Sequence, residues 1–277
     1  MTQIALSRNE VQPEQPWFVM NAAHHVSLTV ADNPAISHFY NFDISENASL
    51  TLAVPDGCVD IIFDCNEHRP LARVCGTTLE ARRVDLRHNH RYFGIRFAPG
   101  VIPNFIDVVA EELPDHEYSF LDVVTTARVV FEQIVQARDF SRQIALFNAH
   151  FSPNLIRKPS LATLLALQIM QQQKGNIRID QLETVTGYTC RTLQRQFRLD
   201  TGLSPKAFSR ILRFQSALNR FHTAPSISVS DLACDLGFSD QSHLSREFKK
   251  FSSITPYDYQ RRVAEEGYCH RLRGHQH

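Results

Sequence analysis

Three long hydrogen-bonding side chains, Arg191, Gln194 and Arg195, fall within five residues of one another. Arginine can grip guanine O6 and N7 bidentately, and glutamine can do the same to the N6 and N7 of adenine. The set therefore has the chemistry of base reading in a DNA major groove. A second set, Gln241, Ser242, His243 and Arg246, follows fifty residues later. The same stretch carries the shorter Ser242 and Ser245, which reach fewer base edges and favour backbone contact, so the first set should carry more of the specificity. Arg195 and Arg246 also have a blander reading, as phosphate contacts or as packing against a companion helix.

Side chains that read bases must stand on a rigid element, and the sequence supplies one twice. The first copy runs Leu182-x4-Gly187-x5-Leu193-x3-Phe197-x7-Pro205, and the second runs Leu232-x4-Gly237-x6-Leu244-x3-Phe248-x7-Pro256. A short apolar helix, a glycine turn and a second helix with apolar residues at i and i+4 is the pattern of a helix-turn-helix. Two units in tandem can place two recognition helices in successive major-groove segments. Between them, Ser204-Pro205 is a helix start, with serine as N-cap and proline at the first helical position. Phe208, Ile211, Leu212, Ala217, Leu218 and Phe221 continue at helical spacing to about His222. The roughly 18 residues of this connector span about 27 Å, against a major-groove repeat of about 34 Å. The bland alternative is an all-helical core with chance self-similarity.

Residues 160–265 resemble the AraC/XylS family of bacterial transcription regulators. The resemblance rests on Gly187-Tyr188 with Leu193-Gln194-Arg195-Gln196-Phe197, Arg213-x3-Ala217-Leu218 and Leu232-Ala233-x3-Gly237-Phe238-Ser239. It continues through His243-Leu244-Ser245-Arg246-Glu247-Phe248-Lys249 and Pro256-x2-Tyr259-x-Arg261. By this resemblance Arg191, Gln194 and Arg195 are the readers of the first unit, and Gln241, Ser242 and Arg246 those of the second. Glu183 departs from the pattern, standing where the family has a small residue such as Ala233.

Charge divides along the same boundary. The 277-residue chain has no formal net charge, yet residues 1–159 hold 13 Lys+Arg against 19 Asp+Glu, and the remainder 16 against 10. Phosphate-attracting potential thus belongs to the C-terminal part, while an acidic first half suits sensing or dimerisation. No run of 18 apolar residues marks a transmembrane helix, and the N-terminus lacks the basic start and apolar stretch of a signal peptide. A cytoplasmic location follows, in which the six cysteines are reduced thiols rather than a disulfide framework.

The first half reads as β and then α. Strands are expected at His25–Val30, Ser49–Val54, Cys58–Cys65, Leu71–Cys75 and Tyr92–Phe97, with turns at Pro55-Asp56-Gly57 and Pro99-Gly100. Helical spacing follows over Phe120–Phe131 and Phe131–Phe147. Between Thr126 and Phe147, the residues Val129, Val130, Ile134, Ala137, Ile144 and Phe147 form a stripe that either the domain's own sheet or a second subunit must cover. Phe151 to Pro159 reads as a linker. Pro55 to Phe63, Ala81-Arg82-x-Val84-Asp85-Leu86 and Phe93-Gly94-Ile95-Arg96-Phe97-x-Pro99-Gly100 resemble the N-terminal domain of one subgroup of the same family. That resemblance implies a small β-sandwich or barrel, cupin-like, followed by helices.

Candidate chemistry in this half is sparse. Asp56, Asp60 and Asp64, with Cys58 and Ile62, fall on one side of an extended strand, as a polar pocket wall or, more plainly, as a solvated face. Val59, Ile61 and Phe63 form the core side. Cys58, Cys65 and Cys75 lack the CxxC spacing of a structural zinc site and read as buried thiols. His24-His25 and His88-x-His90 could be metal ligands, or plain sheet-edge histidines. Tyr92, Phe93, Arg96 and Phe97 could hold a carboxylated ligand, though core packing explains the aromatics. No nucleophile with its base, P-loop or GxGxxG is present, so catalysis is not expected and no cofactor is implied.

The sequence therefore predicts an α+β chain. A sensing or dimerising domain spans 1–158, a tandem helix-turn-helix DNA-binding domain spans 159–266, and a disordered tail spans 267–277. Its expected partners are double-stranded DNA, a second copy, a small-molecule effector and RNA polymerase, with no membrane. Two alternatives remain open: a methylated-DNA repair regulator using a cysteine, and a constitutive DNA-binding protein whose first domain only dimerises.

Overall fold

Strand pairing places one β-strand, Arg91–Phe97, at the middle of the N-terminal half. The computed structural model describes residues 11–16, 26–44, 51–152, 155–266 and 272–274. Within these the strands are β1 (Val26–Val30), β2 (Ile36–Asp43), β3 (Leu52–Ala53), β4 (Asp60–Asp64), β5 (Leu71–Cys75), β6 (Arg82–Arg83), β7 (Arg91–Phe97), β8 (Glu117–Ser119) and β9 (Leu272–Gly274). Seven form one sheet in the order β8-β5-β4-β7-β2-β1-β9, and β3 pairs with β6 as a separate ribbon. All pairings are antiparallel except β1 with β9. The expected sandwich or barrel is thus realised as an open sheet with a short ribbon, because helices cover faces that a closed barrel would have turned inward. The tail expected to be disordered contributes β9, whose backbone completes hydrogen bonds at the β1 edge.

Strand β2 has no alternating signature in the sequence. Its run Ile36-Ser-His-Phe-Tyr-Asn-Phe-Asp lacks polar alternation because both faces are covered: Phe39 joins one core and Tyr40 and Phe42 the other. Strand β4 is buried at every residue. Val59, Ile61 and Phe63 face the N-terminal helices as expected. The solvated-face reading of Asp56, Asp60 and Asp64 is wrong, since they are only 2%, 8% and 0% exposed. Arg96 and His90 supply the partners that make such burial tolerable.

The helical part after the sheet divides into α1 (Phe120–Val123), α2 (Arg128–Gln136) and α3 (Phe140–Phe151). The expected longer helices break because Asp139 caps α3, its side chain accepting from the Arg142 amide. Val130, Ile134 and Phe147 of the apolar stripe are buried in the same core as Phe63 and Phe93, while Val129 points outward. Val130, Ile134 and Phe147 of the stripe are therefore spent on the chain's own core. The linker is pinned as well, with Arg157 Nη2 donating to the carbonyls of Ile106 and Val108.

The C-terminal half is helical: α4 (Leu161–Gln172), α5 (Ile179–Thr186), α6 (Cys190–Thr201), α7 (Pro205–Thr223), α8 (Val229–Asp235), α9 (Gln241–Ser252) and α10 (Pro256–Glu266). The N-terminal part of α7 packs Phe208, Ile211 and Leu212 with Leu182, Leu193 and Phe197 of α5 and α6. Its C-terminal part packs Phe214, Leu218 and Phe221 with Leu232, Leu244, Phe248 and Tyr259. This second core continues without interruption into Tyr40, Phe42, Ile62 and Tyr92 of the sheet. The outer face of the sheet and the second helical unit thus share one hydrophobic core.

Candidate nucleic-acid interface

Each recognition helix is fixed by a capped start and a buried pair of apolar residues. In α6, Thr189 caps by accepting from the Thr192 amide, and Leu193 and Phe197 are 1% and 0% exposed. In α9, Asp240 accepts from the His243 amide at 2.7 Å, and Leu244 and Phe248 are each 1% exposed. Gly187 and Gly237 occupy the preceding turns with φ of 73° and 69°, a backbone region that residues with a Cβ adopt only at a cost. The connector α7 begins with Ser204 accepting from the Ala207 amide, and Pro205 is its first residue.

With Leu193 and Phe197 turned inward, Arg191, Gln194 and Arg195 are exposed along α6. Gln241, Ser242 and Arg246 are exposed along α9. His243 stands apart from this set. Its Nδ1 lies 3.1 Å from Ser239 Oγ and its ring meets Phe238 edge-on, so it braces the turn. The departure at Glu183 also has a local role, since its carboxylate accepts from the Cys190 thiol at 2.8 Å across the turn. That bond and burial hold the Cys190 thiol above its usual value.

A second group of arginines, which sequence spacing could not single out, holds the helices in place. Arg210 of α7 forks onto Glu247 of α9 through Nε and Nη2 at 2.6 and 2.8 Å, and its guanidinium lies over Phe251. Burial alone would raise the Glu247 carboxyl, yet the Arg210 bonds bring it below its ordinary value. Arg213 stacks 4.7 Å over Phe238. The first half reaches both recognition helices: Glu111 pairs with Arg198 of α6 and Glu80 with Lys250 of α9.

Inside the N-terminal half, Arg96 donates to Asp60 from Nε and Nη2 and lies 3.5 Å from Asp56. Tyr40 Oη adds a bond to Asp60 at 3.0 Å. Tyr92, Phe93 and Phe97 are core aromatics, as the plainer reading has it. Asp56, Cys58, Asp60 and Ile62 together wall a cavity of about 40 Å³ between β4, β5, β7 and the β3–β6 ribbon, so the pocket-wall reading holds for these residues but not for Asp64, which does not line it. His90 bonds Asp64 at 2.8 Å, and Asn89 between the two histidines has φ 60°, so His88 and His90 do not share a strand face. His24 and His25 lie outside the described residues. Cys58 and Cys65 are buried thiols, and among the described residues no three His, Cys, Asp or Glu side chains converge as a metal site.

Residues 182–262 match the model of a helix-turn-helix domain, and residues 33–119 that of a domain of unknown function (DUF6597). The chain is 25% identical over 158 residues to the HTH-type transcriptional activator RhaS of Escherichia coli (strain SMS-3-5 / SECEC), covering 57% of this chain and 54% of RhaS. It thus spans about half the length of the curated relatives it matches. Among solved structures it is similar to ToxT from Vibrio cholerae, at a TM-score of 0.42 and 11% identity over 80% of this chain and 96% of that one. An AraC-type DNA-binding domain-containing regulator from Chromobacterium violaceum matches at a TM-score of 0.34 and 23% identity, over 38% of this chain and 93% of that one. Among the described residues no helix is long and apolar enough to cross a membrane.

Proposed function

We propose that this chain, a member of the AraC/XylS family by its C-terminal domain, is a sequence-specific DNA-binding transcription regulator acting in the cytoplasm. The observation that carries this is the pairing of two capped recognition helices, α6 and α9, on either side of the 19-residue α7. Nineteen helical residues span about 28 Å, which suits placement of the two units about one DNA turn apart, roughly 34 Å. Arg191, Gln194 and Arg195 read bases in the first half-site, and Gln241, Ser242 and Arg246 contact the second. The N-terminal domain takes a small-molecule effector, and the active species is a homodimer on double-stranded DNA that also meets RNA polymerase. Because Val130, Ile134 and Phe147 of the α2–α3 stripe are occupied by the chain's own core, dimerisation uses another surface.

Selection of duplexes from a random pool by the full chain tests the reading. The expected outcome is a site of two conserved blocks about one helical turn apart, with the stronger base preference under α6. Recovery of duplexes without any shared sequence would remove specific recognition. A stronger preference under α9 would reverse the assignment of the two helices.

A further inference from the structure

We propose that Arg198 and Lys250 are phosphate contacts of the two recognition helices, and that Glu111 and Glu80 of the N-terminal domain mask them and so limit DNA affinity. This rests on the DNA-binding role proposed above and extends it to residues of the other domain. In α6, Arg198 follows Gln194 by four positions and Arg195 by three, so it continues the exposed row of Arg191, Gln194 and Arg195 by one further turn. In α9, Lys250 follows Arg246 by four positions and stands beside it on the helix surface. Both cations are exposed, with side-chain accessibilities of 65% and 45%, so either can reach a phosphate oxygen. Each already holds a carboxylate. Arg198 Nε lies 2.9 Å from Glu111 Oε1, and Lys250 Nζ lies 2.9 Å from Glu80 Oε1. A carboxylate in that position occupies the charge that a phosphate would take.

Exposed pairs of this kind are worth little by themselves, so what places the two carboxylates is the backbone behind them. The 3-10 turn Ala110–Glu112, which carries Glu111, packs closely on the end of α6: a Cβ on Gly202 would lie 2.2 Å from the Ala110 carbonyl oxygen. The Ala81 amide, next to Glu80, donates to the Lys250 carbonyl in the last turn of α9. The two loops are also tied to each other. The Leu79 amide donates to Asp115 Oδ1 at 2.9 Å, the Asp115 amide to the Thr77 carbonyl at 3.0 Å, and Arg82 Nη1 to the Asp115 carbonyl. One hydrogen-bonded unit of the N-terminal domain thus touches the C-terminal ends of both recognition helices and brings one carboxylate to each. Its other charges are mixed, with Glu112 adjoining Glu111, and Arg82 and Arg83 following Glu80. The masking is therefore a matter of two contacts and not of a general acidic field, which salt would screen.

Gel-shift titration of the full chain over a range of salt, on a duplex selected by the wild type and on a scrambled duplex of equal length, tests the proposal. Glu80→Gln and Glu111→Gln should each tighten binding about two- to fivefold at low salt, the worth of an exposed ion pair. Both duplexes should gain alike, because phosphates carry no sequence. The slope of log affinity against log salt should steepen by about 0.9 for each cation released. Glu112→Gln makes the same change of charge one residue from Glu111 and should give no such gain. Arg198→Gln should cost more affinity in the Glu111→Gln background than in the wild type. All of these side chains are exposed, so the variants should fold as the wild type does. Unchanged affinity and slope in the Glu80→Gln, Glu111→Gln double variant, an equal gain from Glu112→Gln, or the same Arg198→Gln cost in both backgrounds would each overturn the masking. The two readings fail separately. Sequence-selective binding without these gains sinks the masking alone, whereas failure to select any sequence sinks the regulator reading and leaves the masking to be judged on the scrambled duplex.

Discussion

Replacing Gln215 with leucine removes a polar bridge between the two halves while leaving no cavity. Gln215 lies in the middle of α7 and is 1% exposed. Its Nε2 donates to the Pro55 carbonyl at 2.8 Å and the Glu14 carbonyl at 3.2 Å, and its Oε1 accepts from the Glu14 amide at 2.7 Å. Leucine matches the glutamine in volume, so the cost comes from polar groups alone. Glu14 is only partly buried, so its backbone groups can recover water, and these two bonds count at their net worth of about 1 kcal/mol each. The Pro55 carbonyl, beside the buried Asp56, loses its partner and costs about 1–2 kcal/mol more. The total is about 3–4 kcal/mol, and a chain of this length should melt roughly 6–15 °C lower. Scanning calorimetry measures this, with Arg220→Ala as control, since that residue's ion pair with Asp235 is exposed and worth little. Because the second core runs from sheet to helices, the loss should appear in one cooperative transition. A shift equal to the control, or separate melting of the two halves, would refute the shared-core argument.

Arg195→Ala should leave stability unchanged, as the side chain is exposed, and cost about 1–3 kcal/mol at its cognate base. Equal losses on selected and random DNA in a gel-shift assay would assign Arg195 to the phosphates instead. Gly202→Ala puts a Cβ 2.2 Å from the Ala110 carbonyl oxygen, whereas Gly187→Ala meets nothing within 4 Å, although both backbones have positive φ. Denaturant titrations should give about 1 kcal/mol for Gly187→Ala and more than about 2 kcal/mol for Gly202→Ala; equal costs would mean that the 3-10 turn Ala110–Glu112 does not bear on α6. The folded Glu247 carboxyl lies below its ordinary 4.5, so its contribution is full above that value and is lost as pH falls through the lower folded pKa. Glu247→Gln should flatten the acid limb of the stability curve below about pH 4.5. An acid limb as steep as that of wild type would show that Glu247 is not what titrates there.

The tandem helical units were legible because their determinants are local. Ser204-Pro205, the two glycine turns and the Leu-x3-Phe pairs each act within a few residues, and the sequence carries them twice. Five short stretches of strand were legible for the same reason, by composition and turns. What escaped was set by partners distant in the chain. Asp60 looks like a surface residue until β7 brings Arg96 beside it, thirty-six positions later. Strand β2 hid its period because its two faces meet two different cores. The apolar stripe of α2 and α3 was visible, but only the tertiary fold decides between sheet and partner. The arginines that brace the helices, Arg210 and Arg213, look no different in sequence from those that face outward.

The continuity of the second core has a consequence for modular engineering. Cutting at residue 158 to graft this DNA-binding half onto another sensor would follow the sequence boundary, but it would pass through the interior. Phe214, Phe221 and Phe248 would lose the Tyr40, Phe42 and Tyr92 side of their cluster. A graft that works must carry over the outer face of the sheet, or recolour the α7–α10 surface with polar residues. In lineages that have exchanged sensor domains, the positions on either side of this contact should therefore have changed together.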